Sequence, residues 1–135
     1  MKKILVLTIC LLSIVFFSWR STPVEAGSKW SDNYLSTLSN GDCKGIASGD
    51  KSYCDSGDCK GIAKKDKSYC ETSDCKGVAS GDKSYCSSDL CKGWASGDKS
   101  YCGGSDCKGV ASDDKSYCSS QQCKAIASKD KSYCP

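Results

Sequence analysis

The stretch that decides the architecture is Cys43-Lys44-Gly45-Ile46-Ala47-Ser48-Gly49-Asp50-Lys51-Ser52-Tyr53-Cys54, because the chain restarts it five times. After Asp55-Ser56-Gly57-Asp58 the first cysteine returns as Cys59, then as Cys75, Cys91, Cys107 and Cys123. The second cysteine returns as Cys70, Cys86, Cys102, Cys118 and Cys134. Ten and four intervening residues alternate without exception, so residues 43–135 are six 16-residue units. Such a period marks one small structural element per copy, stacked on its neighbours. Both cysteines, the Lys after the first, Ala47 and the Asp-Lys-Ser-Tyr run are the same in every copy. Position 46 stays apolar but changes size: Ile46, Ile62, Val78, Trp94, Val110, Ile126. The four residues between units and the position of Gly49 read as freely varied.

Local signals favour a pair of short helices per unit. Asp42 is expected to cap a helix from Cys43 to about Ser48, with Cys43, Ile46 and Ala47 on one face. Gly49 ends it, and Asp50 caps a second turn from Lys51. A β-hairpin turning at Ser48-Gly49 would need positive φ there, and Lys64-Lys65 and Ser128-Lys129 at those positions argue against it. A β-solenoid is the other alternative. The expected fold is therefore a small disulfide-rich tandem-repeat array, with short α-helical pairs stacked as an elongated solenoid. Helices of six residues do not persist alone, so the cysteines must supply order. The candidates are Cys43, Cys54, Cys59, Cys70, Cys75, Cys86, Cys91, Cys102, Cys107, Cys118, Cys123 and Cys134. Connectivity is not legible from spacing. Pairing within units, Cys43–Cys54, is preferred because it leaves no cysteine over. The alternative rivets Cys54 to Cys59 and leaves Cys43 for Cys134.

Residues 27–42 form a capping segment ahead of the array. Trp30, Tyr34, Leu35 and Leu38 recur at helical spacing, Ser31 offers an N-cap that makes Trp30 and Leu35 a hydrophobic staple, and Asn40-Gly41 reads as a stop. No matching cap follows Cys134-Pro135. Residues 1–26 have the plan of a secretory signal: Lys2 and Lys3, an apolar run from Ile4 to Phe17, and Val24-Glu25-Ala26 as a cleavage site. Thirteen cysteines in 135 residues also suit an oxidising compartment. A secreted or periplasmic protein is expected, with no membrane association after cleavage.

The whole chain carries a formal charge of +3, which falls to +1 once Lys2, Lys3, Arg20 and Glu25 are removed. Nucleic-acid binders show a large basic excess, so no nucleic-acid partner is expected. The chain has no His, which removes the usual proton carrier of acid–base and nucleophilic designs. Six equivalent units also lack one distinctive constellation, so neither enzyme activity nor a cofactor is expected. A thiol-based metal binder of metallothionein type is the alternative, weakened by the lack of closely spaced cysteine pairs. The expected role is structural or binding. Lys51, Tyr53 and their equivalents, with Trp94, form the candidate binding face, suited to an anionic or glycan polymer of the cell envelope.

Overall fold

The computed structural model describes residues 30–135; the signal reading of residues 1–26 lies outside them. Six helices succeed one another: α1 Asn40–Ser48, α2 Gly57–Lys64, α3 Ser73–Ser80, α4 Asp89–Ser96, α5 Ser105–Ser112 and α6 Gln121–Ser128. Each is followed by a 3₁₀ turn over the Lys-Ser-Tyr of its unit, from Lys51–Tyr53 to Lys131–Tyr133. The described residues contain no strand. The helical repeat array stands, and the β-solenoid and hairpin alternatives have no support.

The array is a closed ring, where an elongated solenoid was expected. Each helix packs on the next, and α6 packs on α1. Cys43 and Cys134, 91 residues apart, are bonded. Lys131 reaches the Tyr53 hydroxyl just as Lys51 reaches that of Tyr69. Asn40 Nδ2 donates to the carbonyl of Pro135 across the same seam. Unit one thereby covers unit six.

The expected pairing within units is also corrected. The bridges are Cys54–Cys59, Cys70–Cys75, Cys86–Cys91, Cys102–Cys107 and Cys118–Cys123, each joining one unit to the next. The case for Cys43–Cys54 was that a rod would strand two end cysteines; a ring has no ends. Each bridge lies against the backbone of the preceding helix. A Cβ on Gly45 would stand 2.4 Å from the Cys54 sulfur and 2.7 Å from that of Cys59. Gly77 meets Cys86 and Cys91 at 2.5 and 2.8 Å. Glycine at this position is therefore a packing requirement, relaxed to Ala125 only in the copy that faces the seam.

Capping departs from the expectation in a way that reveals the joints. The N-cap of α1 is Ser39, whose hydroxyl accepts from the Asp42 amide. Asp42 braces the next unit instead. Its Oδ1 accepts from the amides of Asp55 and Ser56, and its Oδ2 from the Ser56 hydroxyl, which itself caps α2. Asp58 holds Glu71 and Thr72 in the same way, Asp74 holds Ser87 and Ser88, and Asp106 holds Ser119 and Ser120. The residues between units are thus not freely varied: the four joints that follow a helix-borne Asp begin with Asp55, Glu71, Ser87 and Ser119, but each keeps a Ser or Thr at the cap. Copy four has Leu90 in place of the Asp, and the following cap is Gly104, which has no side-chain bond to make. Both ends of that brace disappear together. Gly49 and Asp50 act as expected. Gly49 ends α1 at φ 69°, and Asp50 caps the turn through the Ser52 amide. Lys65, Asp113 and Lys129 adopt the same left-handed conformation as Gly49, at some cost for a residue with a Cβ.

Two measurements test this account. In the chain-entropy view a bridge is worth more the longer the loop it closes. Replacing Cys43 and Cys134 together by Ala should therefore lower unfolding free energy by about 4–5 kcal/mol, against about 2 kcal/mol for the Cys86/Cys91 pair. Denaturant titration that gave equal losses would contradict ring closure through the seam. Gly77→Ala should cost about 1–3 kcal/mol through overpacking against the bridge, whereas Ala125→Gly should cost no more than about 1 kcal/mol. Equal thermal midpoints for Gly77→Ala and the parent protein would show that the bridge does not bear on that glycine.

Candidate functional site

One end of the ring is plugged by the segment before α1. Trp30, Leu35 and Leu38 are buried in one apolar cluster with Leu90, the residue that replaced the bracing Asp. The segment folds as a 3₁₀ turn, Tyr34–Thr37, rather than the expected capping helix. Ser31 does not cap it; its hydroxyl donates to Asn33 Oδ1. Trp30 stacks on Tyr34, with centroids 4.3 Å apart, in place of a Trp30–Leu35 staple. Asn40 and Gly41 open α1 rather than stopping a helix. The backbone is held by two contacts the repeats do not share: the Trp30 amide donates to Asp74 Oδ2, and Gln122 Nε2 donates to the Ser36 and Leu38 carbonyls. Burial, with Asp58 and Asp42 nearby, pushes the Tyr34 phenol well above its ordinary range.

The opposite end is open. There the C-terminal ends of the helices surround a cup of about 490 Å³, within the range of small-molecule sites. Its wall is the variable apolar set, Ile46, Ile62, Val78, Trp94, Val110 and Ile126. Ile62, Val110 and Ile126 are buried, while Ile46, Val78 and Trp94 remain partly accessible. The Trp94 ring lies 6.1 Å from that of Trp30, so the plug reaches the base of the cup. The mouth carries Lys65, Gly81, Gly97, Asp113 and Lys129, the residues that end the helices. Lys129 Nζ lies 3.4 Å from Asp113 Oδ2, with both side chains mostly exposed.

The outer surface carries a belt. Lys51 Nζ donates to the Tyr69 hydroxyl at 3.0 Å and lies 4.9 Å from that ring's centroid. The contact recurs six times around the ring, ending with Lys131 on Tyr53. An exposed cation–π contact contributes about 0.5–1 kcal/mol, so each pair is a weak clasp between neighbouring units. The Asp-Lys-Ser-Tyr identity thus has a structural reason in every copy: Asp caps, Ser supplies the amide, Lys and Tyr clasp. Four of the six Tyr side chains are nonetheless about 40% exposed.

The structure therefore separates the residues of the candidate face. Lys51 and Tyr53 lie on the belt, and Trp94 lines the cup. The mouth residues Lys65, Asp113 and Lys129 were not singled out by the sequence, although variation at the Gly49 position was the available signal. All twelve cysteines of the array are in disulfides. Three carboxylate–sulfur groups, around Asp42, Asp58 and Asp106, have donor atoms within 4.8 Å of one another. Their sulfurs are bonded in pairs, and the three carboxylates already brace the next unit. No helix among the described residues is long and apolar enough to cross a membrane. No protein-family model, curated protein or solved structure matches the chain.

The belt groups titrate on either side of neutrality. Hydrogen bonds from Ser52 hold the Asp50 carboxyl below its ordinary value, and Asp66, Asp82, Asp98, Asp114 and Asp130 repeat this with their own Ser. The hydrogen bond to Tyr69 raises the Lys51 ammonium, and five more Lys follow. A lowered carboxyl contributes stability above its unfolded value that is lost as pH falls through the folded one; a raised ammonium contributes below its unfolded value and loses it as pH rises through the folded one. With no His in the chain, the thermal midpoint should be flat between about pH 5 and 9 and fall on both sides. A midpoint that slopes between pH 5 and 8 would contradict this assignment.

Proposed function

We propose that the chain is exported and acts in an oxidising compartment, secreted or periplasmic, as a disulfide-locked ring that binds a ligand and performs no chemistry on it. The observation that carries this reading is the cup: one end of the ring is plugged, the other opens on an apolar wall, and Trp94 there departs from the Ile or Val of the other copies. A scaffold held by six bridges keeps such a site preformed, which lowers the ordering cost of binding.

The belt favours a second reading, contact with an anionic or glycan polymer of the cell envelope. Six Lys–Tyr pairs at regular intervals offer a repeating partner several weak contacts at once. The Lys groups are already clasped to Tyr, so this face has less to offer a new partner than the cup.

A neutral apolar fluorophore, N-phenyl-1-naphthylamine, distinguishes the two. It should bind with one site per ring. Val78→Trp, which fills the cup, should weaken it at least tenfold, while Gln at the six belt lysines should leave it unchanged. If instead the fluorophore ignores Val78→Trp, and the belt variant alone loses retention on purified envelope polymer, the belt is the functional surface.

A further inference from the structure

The chemistry of the mouth goes further than the volume of the cup and names a class of ligand. Each helix ends with its Gly45-type carbonyl taken by an amide that follows, as in Asp50 to Gly45, and four of the six also have the Ile46-type carbonyl taken, as in Gly49 to Ile46. The next carbonyl, that of Ala47 and its five equivalents, accepts no backbone hydrogen bond among the described residues. Three of these oxygens, on Ala63, Ala95 and Ala111, face the neighbouring Gly49, Gly81 and Gly97, standing 3.6–3.7 Å from where a Cβ would be. Ala95 and Ala111 also line the cup. Six helix C-termini thus gather their partial negative charge around an opening whose backbone groups accept hydrogen bonds and do not donate them.

We infer that the cup takes an organic cation: a primary ammonium head at the mouth on an apolar body that fills the interior. This rests on the cup being the binding site. The ammonium supplies the N–H donors that the alanine carbonyls lack. The apolar body replaces water against Ile46, Val78 and the other aliphatic walls, and packs on the Trp94 ring at the base. Two lysines at the mouth oppose a cation, but weakly. Lys129 is paired with Asp113 at the exposed outer edge, where solvent screens it, whereas the carbonyl dipoles stand at the wall itself.

Calorimetric titration of the mature, oxidised ring with octylammonium, octanol and octanoate tests the assignment. Octylammonium should bind one per ring, at least tenfold more tightly than octanoate and more tightly than octanol. Trp94→Val, which removes the ring that the apolar body packs on, should weaken octylammonium and octanol to a similar extent. Lys65→Gly, which matches the local backbone, should leave octylammonium binding as tight or tighten it about twofold. If octanoate or octanol binds as well as octylammonium and Val78→Trp blocks all three, the cup is a site but the cation assignment is wrong. If none of the three binds, or Val78→Trp changes nothing, the cup itself is not a site and the inference falls with it.

Discussion

Five of the six second cysteines find their partner five residues on, across a joint, and that short bond governs the rest of the structure. It pins the end of one 3₁₀ turn to the start of the next helix, so the angle between units is not left to a flexible linker. It also demands the missing side chain at Gly45, because the bridge sits where a Cβ would be. The Asp42-type carboxylate fixes the same joint from the other side, through two amides and a hydroxyl. The bridge recurs at five joints and the brace at four of them, so successive units meet in a similar way. A repeated turn that closes after six copies gives a ring, and one that does not gives an open helix. The seam bond between Cys43 and Cys134 exists because the sixth copy comes back to the first.

Much of the unit was legible in the sequence and almost nothing of its closure was. The helix ending at Gly49 and the turn capped by Asp50 follow from local preferences, which six copies repeat and so reinforce. The start of the helix was misplaced by three residues, because Asp42 is a good cap by composition and its true partner lies in the next unit. No local rule distinguishes an Asp that caps its own helix from one that braces a neighbour's. The pairing of cysteines failed for a related reason: it depends on whether the array has ends, a global property that spacing does not encode. The plug was visible as Trp30, Leu35 and Leu38, but its irregular shape answers to Leu90 and Gln122, which stand far off in sequence.

Two departures from repetition on helix α4 serve different ends. Leu90 and Gly104 give up one brace so that an apolar residue can meet the plug. Trp94, four residues further on the same helix, enlarges the wall of the cup beneath the opposite end. Helix α4 is thus where the six-fold pattern is broken on behalf of both ends of the axis, and it gives the ring a single orientation. The belt shows no such break: its clasps are the same around the whole circumference.

Closure also bears on how such a chain can be inherited. Tandem copies as alike as these are prone to gain or lose a member when the gene recombines with itself. In an open solenoid that event changes length and leaves every joint as it was. Here six units share one full circle, roughly 60° each, and a five- or seven-copy descendant would need every joint to bend to roughly 72° or 51° while its bridges and carboxylate braces hold the old angle. The number six is therefore favoured by the joints themselves, and their stiffness would oppose a change of copy number.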